Sequence, residues 1–354
     1  CMFKIIILFY ILLINSVLAD YKLTNLVNNL DSPWSITQVN ENIFLINEKG
    51  GNIKFFNKSK NSIKNIKHNL KILEHGQGGL MDIYFYKDKI YVSYTEEIGK
   101  KMESVTSVAV AKFNTKKLEF KNIFQSQPPI RSGYHFGSRI VIKNDFLYVS
   151  SGERGGGKIA QDGSKHPGSI IRIKTDGSIP KDNPKFKNKN NWLPEIYLIG
   201  IRNVQGMCLS PFDGKIFMTN HGAKGGDWFG KVNYGGNYGW DNLYWGGTKY
   251  SGLKGGPKWL PGYDKPIKYY VPSIAISACQ IYNGDEFADW KGDALVVSLK
   301  DQSLRKIKFK NNNFLSENII FKDQIGRLRD LKVINNGKIF ILTDQGGLWE
   351  LSKK

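Results

Sequence analysis

Arginine is scarce in this chain, because only eight of its 51 basic residues are arginines and the other 43 are lysines. Where lysine is the default cation, an arginine indicates a need for a planar fork of donors that binds carboxylates and other oxyanions. Six of the eight lie in glycine-rich segments: Arg139, Arg154, Arg172, Arg202, Arg327 and Arg329. This distribution predicts a small, anionic, oxygen-rich ligand.

Cysteine and long apolar runs are also scarce. Residues 2–19 form the one long apolar run, with Lys4 near its start and small residues before Asp20. This pattern is typical of a secretory signal that is removed on export, and the run is short for the alternative, a retained membrane anchor. We therefore predict a signal peptide over 1–19, a mature domain over 20–354 without stable membrane insertion, and a periplasmic or secreted location.

The mature chain has two cysteines, Cys208 and Cys279. An oxidising compartment permits a bridge between them, although a fold of this size does not need one. Two buried free thiols remain the alternative.

The net charge of +20 raises the question of a nucleic-acid partner. The lysines are scattered through turns and strand ends and are not gathered with aromatic residues in one stripe, so no nucleic-acid site is predicted. A solvated basic surface that attracts acidic proteins or anionic surfaces is the expectation.

Helical stripes are absent, and short apolar runs with strand character dominate. One strand type, apolar throughout and ending in Ser, Thr or Asn, recurs six times, at 43–47, 90–93, 147–150, 216–219, 295–298 and 339–343. Three of these run into a similar second strand, at 53–56, 170–173 and 304–307. Six recurrences predict an all-β fold, a six-bladed β-propeller, with a pair of β-sandwiches as the alternative. The longer middle spacings predict loop insertions around 180–195 and 228–272, and the second insertion could cap the channel.

Three candidate groups lie in predicted loops. His135, just before a strand, suits a general base because a neutral imidazole accepts a proton near pH 7, although it could equally well only hydrogen-bond its own loop. Gln77, in a glycine turn, could donate to a ligand carbonyl or serve only the turn. The glycine-rich stretch that contains Gln161 lacks the Lys-Ser/Thr of a P-loop, so a nucleotide site is not predicted.

The segment 220–227 follows a strand end and is rich in glycine. Its backbone carbonyls could converge on a hard cation such as Ca²⁺, with Asp227 nearby, although no EF-hand pattern is present and an ordinary blade loop is the alternative. Lys300 ends another strand, and the alternating Arg327 and Arg329 project from one face of an extended segment. Two arginines facing a di- or tricarboxylate would both be satisfied, whereas facing solvent they would repel.

Together and in this order, these motifs resemble the soluble aldose sugar dehydrogenases that use pyrroloquinoline quinone (PQQ), the soluble glucose dehydrogenase family. The resemblance runs from about Ser32 to the C-terminus. It implies a six-bladed propeller with the quinone over the channel. It also implies that His135 takes the proton of the sugar's anomeric hydroxyl and that Arg202 contacts the reactive quinone carbonyl.

The resemblance assigns the remaining positions residue by residue. The cofactor-binding positions that it implies are Gln77, Gln161, Arg202, Asn203, Lys300, Arg327 and Arg329. The positions implied for calcium are the carbonyls of Gly222 and Ala223, with Asp227. The chain departs from the family pattern at four places, where the family has His, Pro, a second acidic residue and Gly: Ile201, Ala223, Trp228 and Ser138.

The implied reaction oxidises the C1 hydroxyl of an aldose to a lactone, with hydride transfer to PQQ. Ca²⁺ and Arg202 would polarise the quinone carbonyl, and an external acceptor, a cytochrome or a quinone, would take the electrons. The alternatives are a Ca²⁺-dependent lactonase, which needs carboxylates converging on the metal, and a non-catalytic propeller that binds carbohydrate or protein.

Overall fold

The computed structural model of the protein describes residues 20–186 and 191–354, in which β-strands dominate and the only helices are the short 3-10 turns Gly157–Gln161 and Ala288–Trp290. The strands form six antiparallel sheets of four strands each, and a two-residue strand, β9 (Lys117–Leu118), adds to the first of them in parallel. The sheets are arranged radially as a six-bladed β-propeller. The predicted all-β propeller is thus confirmed, and the β-sandwich alternative is wrong.

The first four blades follow the chain in order from the channel outward. Blade 1 consists of β2 (Pro33–Gln38), β3 (Ile43–Glu48), β4 (Ile53–Asn57) and β5 (Ser62–His68). Blade 2 consists of β6 (Leu80–Tyr86), β7 (Lys89–Glu97), β8 (Ser104–Lys112) and β10 (Lys121–Gln125). Blade 3 consists of β11 (Gly137–Lys143), β12 (Phe146–Ser151), β13 (Ser169–Lys174) and β14 (Ile196–Ile199). Blade 4 consists of β15 (Val204–Leu209), β16 (Ile216–Asn220), β17 (Asp227–Lys231) and β18 (Lys268–Tyr270).

The last blade closes the ring with the start of the described chain. Blade 5 consists of β19 (Ile276–Ile281), β20 (Ala294–Ser298), β21 (Ser303–Lys310) and β22 (Asn313–Lys322). Blade 6 consists of β23 (Leu328–Val333), β24 (Ile339–Thr343), β25 (Leu348–Lys353) and, as its outer strand, β1 (Tyr21–Val27). Strand β1 pairs with β25 from Tyr21 opposite Lys353 to Val27 opposite Leu348, so the two ends of the described chain are joined in one sheet.

The six recurring apolar segments of the sequence are the second strands of the six blades, β3, β7, β12, β16, β20 and β24. These strands are apolar throughout because both faces of each blade pack against a neighbouring blade. Six of the hydrophobic clusters lie between adjacent blades, one cluster for each pair. The three segments predicted to follow them fall in the third strands β4, β13 and β21.

The inner strands form a closed ring around the channel, because each one contacts the inner strand of the blade on either side. Every inner strand has a register shift against its second strand near its first residues. Bulges of this kind bend a strand and re-aim its side chains, and they occur often next to active sites. We call the end of the channel where the inner strands begin the top face.

The two predicted insertions are present with shifted bounds. The described part of the first lies between β13 and β14, and the second spans 232–267 between β17 and β18. The predicted start at 228 is wrong, because residues 228–231 belong to β17 and pair with β16 and β18. Residue Trp228 is apolar and buried, which matches a strand packed on both faces.

The predicted signal segment, residues 1–19, lies outside the described residues. Among the residues that are described, no helix is long and apolar enough to cross a membrane.

Candidate functional site

A cavity of about 300 Å³ opens at the top face, above the channel. Its apolar floor consists of Trp34, Met81 and Phe136, which pack on one another at the beginning of blades 1, 2 and 3. Its polar walls come from loops before the inner strands and from the first residues of those strands: Gln77, Asn203, Gln205, Arg327 and Arg329. His221, which follows the second strand β16, also lines it. The arrangement fits a flat ligand with an apolar face and an oxygen-rich edge.

His135 lies beside this cavity in a backbone conformation with φ of 48°, which is rare for a residue other than glycine. Its N–H donates to the side-chain oxygen of Gln77 at 2.9 Å. Its ring Nδ1 lies 2.5 Å from Oε1 of Glu153, whose other oxygen accepts the N–H of Gly157. Because Nδ1–H donates to the carboxylate, the lone pair of the neutral imidazole is on Nε2.

The charge state of His135 is set by its surroundings. Burial lowers the pKa of His135 below its usual 6.5, Arg202 lowers it further, and the hydrogen bond to Glu153 opposes both effects. The imidazole is therefore neutral at pH 7 and can accept a proton, which is the state that a general base requires.

Arg202 is a buried cation, with 5% of its surface exposed. Within the described ranges its guanidinium forms no hydrogen bond or ion pair with protein, and it lies 5.3 Å from the ring of Trp240 and 5.8 Å from that of Tyr250. Its backbone is held tightly, because its N–H donates to Asn220 and its carbonyl accepts from Glu153. A buried guanidinium without an anionic partner is costly, so this position favours an oxyanion from a ligand.

Asn203 follows Arg202 and lines the cavity. Its side-chain oxygen accepts from the N–H of Gly137 and from the amide of Gln205, which ties the loop of His135 to blade 4. Hydrogen bonds therefore join Gln77, the loop of His135 and Asn203, which follows Arg202 in the chain. The catalytic and cofactor-binding roles of these residues stay predictions.

Arg327 and Arg329 share one carboxylate, that of Asp344. Arg329 donates from Nε and Nη2 to its two oxygens at 2.8 and 3.2 Å, and Arg327 donates from Nε at 3.1 Å. Arg329 also donates to Gln205. The two arginines do face the same side, but a protein carboxylate neutralises one of their two charges. One positive charge remains for a ligand, with donors held in fixed directions.

A second cavity, of about 560 Å³, adjoins the first, because His221 and Ala275 line both. Lys300 lines it, and in the part of the chain that the structure describes its ammonium has no acidic partner. Gly222 and Ala223 also line this cavity, and no hydrogen bond to their carbonyl oxygens is formed by any described residue. These free carbonyls are the type of ligand that Ca²⁺ accepts.

Both carboxylate oxygens of Asp227 accept backbone hydrogen bonds, so the side chain is not free to bind a metal ion. Its Oδ1 accepts the N–H of Gly222 at 2.8 Å and its Oδ2 accepts the N–H of Ile276 at 2.9 Å. The carboxylate thus fixes the loop that carries the two free carbonyls and anchors it to blade 5. Over residues 20–186 and 191–354, no group of three or more His, Cys, Asp or Glu side chains could hold a metal ion.

His221 is a polar group that the sequence analysis did not select. Its Nε2 is buried and has no hydrogen-bond partner among the described residues. Burial lowers the pKa of His221 to about 4, with Arg202 and Arg329 contributing and Asp227 opposing. The ring is therefore neutral and lies between the two cavities.

Gln161 is a predicted cofactor-binding residue that lines neither cavity and is held elsewhere by its own amide. Its amide donates to the carbonyl of Trp240 at 2.7 Å and exchanges hydrogen bonds with Asn237. Both partners belong to the insertion 232–267, so Gln161 holds this insertion against blade 3. The insertion in turn borders the second cavity with Thr248 and Tyr250.

The departures from the family pattern lie away from the cavities or fit the backbone. Ile201 and Trp228 are buried in the core between blades 3 and 4, where Trp228 stacks on Tyr238 at 4.4 Å. Ser138 is fully buried and has φ of 77°, a left-handed conformation that glycine adopts without strain. Ala223 keeps the carbonyl that the position requires.

Three of the six selected arginines serve the fold and do not face the ligand site. Arg139 binds Asp82 and Asp330 inside the channel. Arg154 donates to backbone carbonyls under the His135 loop, and Arg172 pairs with Asp182. The prediction that the scarce arginines bind an anionic ligand is therefore wrong for these three, because the guanidinium of each donates hydrogen bonds to oxygen atoms of the protein.

Sequence reasoning missed Glu153 and Asp344, which orient the candidate base and the arginine pair. Asp344 directly follows the second strand β24, and Glu153 comes two residues after the end of the second strand β12. All second strands end at the top face, because each pairs antiparallel with an inner strand that begins there. An acidic residue at that point of the repeat is therefore a signal that could have identified them.

Comparison with known proteins identifies the family of the chain. The sequence model of the Glucose / Sorbosone dehydrogenase family matches residues 30–350. The chain is 30% identical over 333 residues to aldose sugar dehydrogenase YliI of Escherichia coli strain K12, covering 90% of this chain and 89% of that protein. It is 27% identical over 251 residues to quinoprotein glucose dehydrogenase B of Acinetobacter calcoaceticus, covering 62% and 52% of the two chains.

A solved structure agrees with the fold. The soluble aldose sugar dehydrogenase (Asd) from Escherichia coli, in the apo-form, superimposes with a TM-score of 0.89 at 29% identity, covering 94% of this chain and 100% of that one. The resemblance read from the motifs is confirmed, and at the coarse level the assignment is an oxidoreductase. With a family match over nearly the whole chain, the protein belongs to the Glucose / Sorbosone dehydrogenase family.

Proposed function

We propose that this protein oxidises the C1 hydroxyl of an aldose to a lactone, with PQQ and Ca²⁺ as cofactors. The observation that carries the proposal is Arg202, a buried guanidinium without a protein anion, beside the neutral base His135. A proton acceptor next to a fixed donor of this kind suits a reaction that removes a proton on one side and builds up negative charge on the other.

The residues present fit the quinone. The cavity has an apolar floor for a flat ring system, and cationic groups around it for carboxylates: Lys300, Arg327 and Arg329. The side-chain amide of Asn203 and the imidazole of His221 add polar groups along the walls. In this arrangement Arg327 and Arg329 would hold cofactor carboxylates, and Arg202 would contact the reactive carbonyl.

The residues also fit a calcium site in which the protein ligands are backbone carbonyl oxygens. The free carbonyls of Gly222 and Ala223 would be two of its oxygen ligands, and the remainder would come from the cofactor or from water. Asp227 would support the ion through the loop and would not contact it. Gln161 would act through the insertion 232–267 in the same indirect way.

The chain's own groups would then act as follows. The quinone, when bound, supplies the hydride acceptor. Nε2 of His135 takes the proton of the C1 hydroxyl, and Glu153 stabilises the imidazolium that forms. The fork of Arg202 faces the side where negative charge grows. Gln77 holds the backbone of His135, which keeps Nε2 directed at the substrate.

The partners follow from the chemistry. We propose an aldose as the substrate, and an external cytochrome or quinone that takes the electrons, at a periplasmic or secreted location. The two rivals have less support. A lactonase needs carboxylates converging on its metal, and Asp227 uses both oxygens on backbone N–H groups. A non-catalytic propeller would leave Arg202 buried without an anion.

The test is a titration of the purified protein with PQQ and Ca²⁺, followed by quinone absorbance as a panel of aldoses is added. We expect tight binding and sugar-dependent reduction, and we expect His135→Ala to bind the cofactor but to lose reduction. Binding without reduction by any aldose would contradict the proposed substrate class. An absence of binding would overturn the cofactor assignment.

A further inference from the structure

Two buried cysteines on neighbouring inner strands lie within reach of each other. Sγ of Cys208, in β15, is 2.7 Å from Sγ of Cys279, in β19, and both residues are free thiols in the structure. Non-bonded carbon atoms pack at about 3.5–4.0 Å, and sulfur is the larger atom, so 2.7 Å is much closer than ordinary packing. A disulfide requires about 2.05 Å, a difference of roughly 0.7 Å.

The surroundings offer these sulfurs no other role. Both lie in the apolar core between blades 4 and 5, with exposed fractions of 2% and 1%. The described residues provide no third side chain for a metal ion there. Neither cysteine lines the two cavities at the top face.

We propose that Cys208 and Cys279 form a disulfide that joins the inner strands of blades 4 and 5. The bond closes a loop between positions 71 residues apart, which contains β16, β17, β18, the 220–227 loop and the insertion 232–267. Cross-links that close long loops restrict the unfolded chain most. The disulfide thus stabilises the blade that carries the proposed calcium carbonyls, and it is independent of the proposed activity.

The chemistry requires a disulfide-containing oxidant, such as oxidised glutathione. The thiolate of one cysteine attacks the oxidant, forms a mixed disulfide and releases one thiol. The second cysteine then attacks the mixed disulfide, forms the Cys208–Cys279 bond and releases the second thiol. The pair loses two electrons and two protons, and the oxidant gains them.

The bond forms while blades 4 and 5 assemble, and not afterwards. In the folded protein burial raises the pKa of the Cys208 thiol well above its usual range, and the nearby Cys279 adds to this effect. Few thiolates are then available, and the burial of both sulfurs keeps out an oxidant. The same burial protects the finished bond from reductants.

The experiment compares one chain in two redox states. The full-length protein is unfolded and reduced, then refolded either with reduced and oxidised glutathione or with a reductant only. Each sample is alkylated, digested with trypsin and analysed by mass spectrometry without reduction. The peptides 203–215 and 269–291 each contain a single cysteine, so Cys1 does not interfere.

We expect the oxidised sample to yield the two peptides linked, with the mass of their sum less two hydrogens. We expect its thermal midpoint to exceed that of the reduced sample by about 5–10 °C, because the sequence and packing are otherwise identical. A Cys208→Ala/Cys279→Ala double variant should show no redox dependence. Two separately alkylated peptides, a glutathione adduct, or equal midpoints for the two redox states would overturn the proposal.

Discussion

At the scale of single residues, the site depends on carboxylates that act through other side chains. Glu153 fixes the tautomer of His135, and Asp344 fixes the directions of Arg327 and Arg329. Each carboxylate also reduces the net charge of the group that it orients. The residues that would contact a ligand are therefore held in place before it binds, which is a requirement for efficient catalysis.

Glu153→Gln tests the first of these carboxylates. An amide can present either oxygen or NH₂ to Nδ1, so the tautomer is no longer fixed and the imidazolium loses its counter-ion. We expect kcat for sugar oxidation to fall roughly 100-fold or more. Glu153 raises the pKa of His135, so its loss should move the acid limb of the kcat profile to lower pH.

The matched control for that variant is Glu195→Gln. Glu195 lies 3.6 Å from Nε2 of the buried His166, in a second His–Glu pair that does not line the two cavities at the top face. This variant should leave the pH profile of kcat unchanged. An acid limb that stays in place in Glu153→Gln would contradict the role given to Glu153.

Replacement of each arginine by lysine distinguishes the two members of the pair. Arg329 is 17% exposed and forms three side-chain hydrogen bonds, whereas Arg327 is 43% exposed. Lysine keeps the charge but not the fork. We expect Arg329→Lys to weaken PQQ binding about 10-fold to 100-fold in an absorbance titration, and Arg327→Lys to have a smaller effect. Equal affinities for wild type and Arg329→Lys would contradict this.

At the scale of elements, the bulged starts of the inner strands and the loops that follow the second strands meet at one face. The loop 220–227 illustrates how its shape is fixed. Asp227 accepts an N–H from within the loop and one from blade 5, and a Cβ on Gly222 would lie 2.4 Å from the backbone of Gly226. The loop is folded on itself so closely that only glycine fits at this position.

Asp227→Asn tests whether this loop controls calcium affinity. The amide NH₂ would face a backbone N–H donor, so one of the two hydrogen bonds would be lost. We expect about 10-fold to 100-fold weaker Ca²⁺ binding by calorimetry in the presence of PQQ. Asp264→Asn is the control, because Asp264 also accepts two hydrogen bonds but within the insertion 232–267. Calcium affinity equal to wild type in Asp227→Asn would refute the prediction.

The sequence predicts some strands of the propeller better than others. The second strands were predicted because they are buried on both faces and read as apolar runs. The inner strands carry Asp82, Arg139, Asp330 and Lys332 toward the channel, which interrupts their apolar pattern. The site residues were found by their glycine-rich loops, whereas Gln161 was misplaced because local sequence does not show that an insertion distant in the chain binds its amide.

At the scale of the whole molecule, a buried ion network holds the ring together. Arg139 binds Asp82 and Asp330, and donates to the carbonyls of Gln205 and Arg329. Asp330 also accepts the N–H of Ile36. Through one guanidinium and its partners, the inner strands of five blades are connected, immediately beneath the floor of the ligand cavity.

This network predicts a pH dependence of stability. Burial, with Asp82, raises the pKa of Asp330 from 3.8 to about 6, against the opposing effect of Arg139. Between about pH 4 and pH 6 the folded chain therefore binds a proton that the unfolded chain has lost. The contribution of Asp330 to stability therefore falls as the pH rises through this window, whereas the lowered pKa values of His135 and His221 act in the opposite direction.

Asp330→Asn removes that contribution. From pH 4 to pH 7 we expect the wild type to lose about 3 kcal/mol more of its free energy of unfolding than the variant loses, measured by denaturant titration. The variant is expected to be less stable at both pH values, because its amide NH₂ faces Arg139. The informative quantity is thus the slope of the free energy of unfolding against pH. Equal slopes for the wild type and the variant would show that Asp330 does not titrate in this range.

The pairing of β1 with β25 also determines the order in which the molecule can be completed. Strand β1 is the first described strand to be synthesised, and its partner is the last. More than 300 residues must be made before that hydrogen-bonded pair can form, so the ring stays open until β25 has been synthesised. Until β25 has been synthesised, β1 has no partner strand and must avoid pairing with another chain. A ring joined in this way is vulnerable to aggregation before the pair forms, and once formed the pair protects β1 and β25 from fraying.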